Sequence, residues 1–362
     1  MSSPLFEPFG LRDLQLENRI VLSPMCQYAA TDGCAGDWHL MHLGQYAVSG
    51  VGLMMLEMTN VQAIGRITPH CLGLYDDQCE IALQRVVDYC RSISKTPMGI
   101  QLAHAGRKAS STPPWQGRKR LGTEQGGWST VGPSALSHSD QIPDPDELRA
   151  DQIAQLIEDF VSSAKRAQRI GFDAIELHGA HGYLLHQFLS PISNKRSDRY
   201  GGSRENRMRL LLEIFDAVRQ VWPEQKPLGV RLSAIDWQEG GITLEDTIET
   251  ARQLKARDCD WIDVTSGGIS YQEKIETGPG YQVEFSAGVR SRSEMATIAV
   301  GMITQARQAE SIIANGQADL VALARGMLFN PRWPWHAALQ LGVDLDYHDR
   351  YKRCAPANMN PF

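Results

Sequence analysis

Asp173-Ala174-Ile175-Glu176-Leu177-His178 is a short apolar run that follows a segment of helical periodicity, Glu147 to Arg169, and leads directly into Gly179-Ala180-His181-Gly182-Tyr183. A short apolar run joined to a longer amphipathic one is the unit of a parallel strand with its crossover helix. Seven further runs repeat it: Arg19 to Met25, Gly52 to Asn60, Met98 to His104, Leu228 to Ser233, Trp261 to Ser266, Ile298 to Ile303 and Asp319 to Arg325. Their near-continuous apolar character suits strands covered on both faces. The intervening segments Arg204 to Trp222, Leu244 to Ala256 and Gln305 to Asn315 can hold helices, and Asn315-Gly316 is a natural stop for the last. Eight alternating units predict an α/β fold, a (β/α)8 TIM barrel. An open doubly wound sheet fits the same alternation, but no GxGxxG turn follows an early strand.

The chain has 362 residues, long for one average domain yet ordinary for a barrel with decorated loops. Residues 1-362 therefore read as a single domain. The connection 106-146 is rich in Gly, Pro, Ser and Trp and too long for an ordinary loop, so it is expected to be a lid insertion; residues 343-362 form a C-terminal tail. Hydrophobic residues at 42% and charged ones at 22% predict a globular protein with a sizeable core. A net charge of -6, with no basic stripe, gives no electrostatic reason to bind nucleic acid or an anionic membrane. The opening Met1-Ser2-Ser3-Pro4-Leu5-Phe6-Glu7 lacks the basic start and apolar stretch of a signal peptide, and a cytoplasmic location is expected. Cysteines 26, 34, 71, 79, 90, 259 and 354 are irregularly spaced without a CxxC pair, and read as reduced thiols.

Chemistry in such a barrel belongs at the C-terminal ends of the strands, and there the polar residues are dense. The first run ends in Ser23-Pro24-Met25-Cys26-Gln27-Tyr28, the third carries Gln101 and His104, the fifth Arg231, the seventh continues into Gly301-Met302, and the eighth into Ala324-Arg325-Gly326. The most specific element is His178-x-x-His181-x-Tyr183. Two imidazoles three residues apart on a turn can converge on one oxygen while the phenol stands by as an acid. Loop histidines that only bond backbone are the plain alternative. A metal pair is a second, with no carboxylate or third His placed to complete it.

These residues carry a resemblance. Ser23 to Tyr28, Gly99-Ile100-Gln101-Leu102-Ala103-His104-Ala105-Gly106-Arg107-Lys108-Ala109, His178 to Leu184 and Ser193-Asn194-Lys195-Arg196-Ser197-Asp198-Arg199-Tyr200-Gly201-Gly202-Ser203 resemble the Old Yellow Enzyme family of flavin ene-reductases over nearly the whole chain. Cys26 after the first strand is similar to the thermophilic-like bacterial branch. The resemblance implies noncovalent FMN, with NADPH as hydride donor and NADH as a possible substitute. It implies hydride transfer from flavin N5 to the β-carbon of an enone, enal, maleimide or nitroalkene. His178 and His181 would hold the substrate oxygen, and Tyr183 would supply the proton. Gln101 would bond the pyrimidine edge of the ring, and Arg231 would face N1 and O2. Gly301, Met302, Ala324 and Arg325 would hold the phosphate. Ser23, Pro24, Met25 and Cys26 would line the flavin, the thiol tuning its potential, with Tyr28 in the substrate pocket. Tyr351 and Arg353 would reach a neighbouring subunit of a homodimer or homotetramer. No metal is implied.

Three departures stand out. Asn60 occupies a position where the family has a small residue, Ala324 replaces a glycine before Arg325, and the tail from Tyr351 to Phe362 is longer than usual. Without a cofactor, Arg231 would need a buried carboxylate such as Glu176 or Asp263. Cys26 would be a buried small hydrophobe, and Arg196-Ser197-Asp198-Arg199-Tyr200-Gly201-Gly202 a structural loop whose charges pair with one another. A barrel lyase or aldolase would need a Schiff-base lysine at a strand end, and no run supplies one. A catalytically silent flavin-binding protein would keep the arginines and could lose the His pair or Tyr183.

Overall fold

The computed structural model describes residues 3–139 and 142–355. Eight strands, β1 (Ile20–Leu22), β2 (Leu53–Asn60), β3 (Met98–Ala103), β4 (Ala174–Gly179), β5 (Leu228–Ser233), β6 (Ile262–Thr265), β7 (Thr297–Ala299) and β8 (Leu320–Leu323), form a closed barrel. Closure is made by β8 against β1 in parallel register, Val321 opposite Ile20 and Leu323 opposite Leu22. The fold is the expected (β/α)8 barrel. Around it lie α1 (Asp37–Ala47), α2 (Asp77–Ile93), α3 (Ala150–Ile170), α4 (Arg204–Val221), α5 (Leu244–Lys255), α6 (Val283–Ser293), α7 (Ala306–Ala314) and α8 (Trp333–Leu341).

The helices form where apolar residues recur every three or four positions and a cap starts them. In α3, Ile153, Leu156, Phe160, Ala164 and Ala167 make the buried stripe. Asp76 caps α2 by accepting the Cys79 N–H, Ser203 caps α4 through Asn206, and Thr243 with Asp246 forms a capping box on α5.

Strand ends differ from the apolar runs for identifiable reasons. β1 stops before Pro24, which has no N–H for the ladder. β7 stops at Ala299, since the next carbonyl, Val300, accepts from the Gln282 side chain instead of a strand. β8 stops where Ala324 leaves the extended region (φ -105°, ψ -91°) to start the short helix Arg325–Phe329. α3 begins at Ala150 rather than at Glu147, because Asp146–Glu147 pairs with Val131–Gly132.

The barrel interior is stratified. At its N-terminal end the hairpin Phe9–Leu11 and Leu14–Leu16 closes the opening, and Leu11 and Leu16 pack with Val21, Leu53, Ile298 and Trp261. Trp261 is fully buried, and β5 makes room for it with Gly229, where a Cβ would lie 2.0 Å from the indole. The next layer is polar, built from Gln101, Glu176, Arg231 and Asp263. Between β3 and α3 the chain runs through short 3-10 turns at Gly106–Lys108, Pro114–Gln116 and Thr123–Gln125. Buried Arg196 donates to the Pro133 and Leu148 carbonyls and pairs with Asp198 inside the loop, whereas Arg199 pairs outside it, with Glu213 on α4. Among the described residues no helix is long and apolar enough to cross a membrane.

Candidate active site

A cavity of about 710 Å³ opens at the C-terminal ends of the strands, within the usual size of small-molecule sites. Ser23 and Pro24 beyond β1, Arg231 on β5, Gly301 and Met302 beyond β7, and Ala324 and Arg325 beyond β8 all line it, as do His181 and Thr265. Residues scattered over the sequence thus meet because each strand delivers its own end to one rim. Ala324 has a negative φ, so alanine there carries no left-handed penalty.

At the floor, Arg231 is 5% exposed and its Nε lies 3.1 Å from Asp263 Oδ2, an ion contact without hydrogen-bond alignment. Arg231 Nε and Asp263 Oδ1 have no hydrogen-bond partner among the described residues, and neither does the Ser23 hydroxyl. The buried carboxylate partner expected of an Arg with no cofactor is therefore present, and the guanidinium still faces the cavity. Gln101 donates to Glu176 Oε1 at 2.8 Å, and Trp261 Nε1 donates to Glu176 Oε2 at 3.1 Å. Burial and the neighbouring Asp263 push the Glu176 carboxyl up, with Arg231 opposing.

The His pair is ordered by a directional chain. The Ala180 N–H donates to His178 Nδ1 at 3.3 Å, which leaves the proton on Nε2. His178 Nε2 faces His181 Nδ1 at 3.3 Å, and His181 Nε2 faces Thr265 Oγ1 at 3.0 Å. The Thr265 hydroxyl donates to Gln282 Oε1 at 3.3 Å, and Ser266 Oγ donates to the same oxygen at 2.7 Å, so Ser266 keeps that oxygen satisfied if Thr265 turns its proton to His181 Nε2. Burial, and secondarily Arg231, holds both imidazoles well below their ordinary pKa, so both are neutral. The facing nitrogens flank a single point, and an oxygen placed there can accept from both once Thr265 donates to His181 Nε2.

Tyr183 lies beside this pair, its ring 5.1 Å from that of His178. Burial first, then Cys26 and Tyr28, raises its phenol well above the ordinary value. The turn that presents His181 and Tyr183 is held from below. His181 takes φ +58° and Gly182 φ +68°, and a Cβ on Gly182 would lie 1.9 Å from the Gly268 carbonyl. The Gly182 N–H donates to His186 Nδ1 at 2.8 Å, and His186 Nε2 bonds Asp236 Oδ1 at 2.8 Å with both side chains fully buried.

Cys26, Tyr28 and Tyr183 pack against a small cluster containing Met58, Cys71 and Ala103. Burial, then Cys71 and Glu57, raises the Cys26 thiol well above its usual range. Asn60 is fully buried at the end of β2; its Nδ2 donates to the Leu72 carbonyl at 2.7 Å and its Oδ1 has no partner. His104 serves the scaffold, accepting from the Gly106 N–H and bonding Gln62. Tyr351 packs on Trp335 of its own chain, Arg353 is exposed and lines neither this cavity nor the one near Tyr183, and residues 356–362 of the tail lie outside the described residues.

Thr265, Gln282, His186 and Asp236 were not singled out from sequence. Thr265 had a signal, a hydroxyl at the end of an apolar run, whereas Gln282 lies beyond a long loop with nothing local to mark it. Lys108 belongs to the Gly99 to Ala109 motif, which implies no role for it. It lies half-buried beside Tyr183, and its ammonium donates to the His181 and Gly268 carbonyls at 2.8 and 2.9 Å.

Residues 4–343 match the model of the NADH:flavin oxidoreductase / NADH oxidase family. The chain belongs to this family. The flavin oxidoreductase is 43% identical over 355 residues to an NADPH dehydrogenase of Geobacillus sp. (strain WCH70), covering 98% of this chain and 99% of that one. It is 42% identical to the NADPH dehydrogenase of Geobacillus thermodenitrificans (strain NG80-2), with the same coverage. Among solved structures, morphinone reductase superposes with a TM-score of 0.79 at 28% identity, covering 96% of this chain and 92% of that one. A 2-naphthoyl-CoA reductase shares the fold, with a TM-score of 0.85 at 23% identity over 95% of this chain and 53% of that one. These relatives make this oxidoreductase a member of the Old Yellow Enzyme family.

Proposed function

We propose that this oxidoreductase binds FMN noncovalently and, with NADPH or NADH as donor, reduces C=C bonds activated by a carbonyl, imide or nitro group. The observation that carries the reading is a pair of facing neutral imidazole nitrogens, 3.3 Å apart, with the half-buried Tyr183 phenol beside His178 and with His181 sharing a cavity with an incompletely paired Arg231.

The residues fit the cofactor. Ser23 Oγ, Arg231 Nε, Asn60 Oδ1 and Asp263 Oδ1 are buried polar atoms without partners, a mixture of donors and acceptors that suits the polar edge of an isoalloxazine ring. Gln101 and Arg231 would meet its pyrimidine side, with Pro24, Met25 and Cys26 beside it. Gly301, Met302, Ala324 and Arg325 would hold the phosphate, the guanidinium as its charged donor. When bound, FMN would supply the hydride delivered to the β-carbon. The protein's part is to bind and polarise the alkene. His178 Nε2–H and His181 Nδ1–H hold the substrate oxygen where negative charge develops. Tyr183 carries a proton on its Oη and passes it to the α-carbon, and Tyr28 walls the substrate side. Arg353 would act in a neighbouring subunit. Lys108 weighs against the aldolase reading: an ammonium that donates to two carbonyls is no nucleophile.

The deciding experiment releases the cofactor by heat and chromatographs it, then follows NADPH oxidation with cyclohexenone. FMN and enone-dependent turnover are expected. FAD, or no flavin after refolding with excess FMN, overturns the reading.

A further inference from the structure

A second cavity of about 180 Å³ lies beneath the segment after β3, with Tyr28 and Tyr183 in its wall. Among the described residues its charged lining is of one sign. Arg107, Lys108, Arg118 and Arg120 face it together with His138, and no Asp or Glu lines it among the described residues. The whole chain carries six more acidic than basic side chains, 42 against 36, so this concentration of cations is not the background of its composition.

The cations differ in what they do. Arg120 braces the segment, donating to the Ala109 and Trp128 carbonyls. Arg107 is 4% exposed; its Nη atoms donate to the Leu136, Ser137 and Ile269 carbonyls, and its Nε is buried without a partner. Carbonyls orient Arg107 and Lys108 and do not neutralise them. Burial lowers Lys108 to about 8; Glu273 opposes this, and Arg118 and Arg107 add to it. Glu273 is committed elsewhere, accepting from the Gly268, Ile269 and Ser270 N–H groups. The Arg118 guanidinium, exposed on a residue with φ +53°, makes no hydrogen bond or ion pair with another described residue. Partly desolvated cations that face one another with no carboxylate of the described residues between them are stabilised by a bound anion.

We infer that this cavity is an anion subsite, which takes the carboxylate or phosphate of the molecule whose reacting carbon lies against Tyr183. The inference rests on the ene-reductase reading and names its substrate class. The anion has two sources: an alkene with a carboxylate or phosphate remote from its activating group, or the 2′-phosphate that NADPH carries and NADH lacks. Ionic attraction brings no redox step of its own. It orients the bound molecule and raises its local concentration.

The test uses the flavin-loaded enzyme with N-(carboxymethyl)maleimide and its uncharged carboxamide, each with NADPH and with NADH, in the parent, Arg118→Gln and Arg118→Glu. Ratios of kcat/KM are read, so any general effect of Arg118 on Tyr183 cancels. The parent is expected to favour the carboxylate, with the ratio falling roughly fivefold in Arg118→Gln, the weight of one exposed ion pair, and further in Arg118→Glu. That outcome assigns the subsite to the alkene. A fall in the NADPH to NADH ratio, with the maleimide ratio unmoved, assigns it to the dinucleotide. If neither ratio moves, the subsite is wrong. Absence of turnover with the uncharged maleimide would instead overturn the ene-reductase reading. The cavity is then judged by calorimetry alone: 4-hydroxybenzoate binding more tightly than 4-hydroxybenzamide, with the difference lost in Arg118→Glu, supports it, and equal binding overturns it.

Discussion

Tyr183 and the His178–His181 pair are tuned in opposite directions by the same burial. The imidazoles sit well below 6.5 and the phenol well above 10, so the donors keep their protons from mildly acidic to strongly alkaline solution. A lowered imidazole pKa keeps the ring neutral as pH falls, and a raised phenol pKa keeps the proton as pH rises. Enone reduction by the reduced enzyme is therefore expected to be flat from about pH 6 to about pH 9, with no limb near the ordinary imidazole value. A rate that halves around pH 6.5 would show an imidazole titrating. Replacing Tyr183 with Phe should slow reoxidation by cyclohexenone roughly a hundredfold to ten-thousandfold in stopped flow, while flavin content and reduction by NADPH stay at parental levels. Parental reoxidation would mean that another group delivers the proton. Thr265 acts on the pair through His181 Nε2. Thr265→Val is expected to weaken phenol binding roughly tenfold and Thr265→Ser to restore it, because a hydroxyl that turns its proton from Gln282 Oε1 to Nε2 leaves the Nδ1 proton for the ligand. Equal phenol affinity in Val and Ser variants would remove Thr265 from the chain.

The elements were legible in the sequence where pattern and packing agree. The run Leu228 to Ser233 is β5 residue for residue, since every position in it is buried and its backbone pairs with β4 on one side and β6 on the other. The runs Ile298 to Ile303 and Asp319 to Arg325 overstate β7 and β8, as apolar character continues after the backbone has turned to form the rim. The strand-end clusters were likewise readable, because an Arg, a Gln and paired His residues are conspicuous among apolar neighbours. What holds them in place was not. The His186–Asp236 support under the turn spans 50 residues, and Gln282 reaches Thr265 across a loop; such pairings depend on tertiary closure. The turn after β4 gives the sharpest element-scale expectation. Gly182→Ala meets both a left-handed φ and a Cβ placed 1.9 Å from the Gly268 carbonyl. It should destabilise the protein by about 2 kcal/mol or more and loosen phenol binding, measured by thermal melting and titration. An unchanged melting temperature would mean that the turn can move without loss.

At the scale of the whole molecule, the barrel divides between an apolar floor that stabilises it and a polar layer that gives it a function. Leu11, Leu16 and Trp261 fill the floor, and Arg231 with Asp263 and Glu176 sits directly above, shielded from water. Asp263 is pushed up by burial and drawn back by Arg231. Removing the guanidinium alone therefore leaves a buried carboxyl without its cation, a change worth roughly 3 to 5 kcal/mol. The sign with pH follows from the direction of the shift. A carboxyl whose folded pKa is raised folds best when protonated, so its contribution is present at low pH and is lost as pH rises through the folded value. Arg231→Gln should thus melt lower than the parent, and the gap should widen from acid to neutral pH. Adding Asp263→Asn removes the stranded acid and should recover most of the melting temperature. Flavin retention separates the two roles of the arginine. If Arg231 serves only as the partner of Asp263, the double variant regains its flavin along with its stability. If its guanidinium also meets the cofactor, the double variant is stable but loses flavin on dialysis, and that second outcome is the one expected from a guanidinium that lines the cavity as well as contacting Asp263.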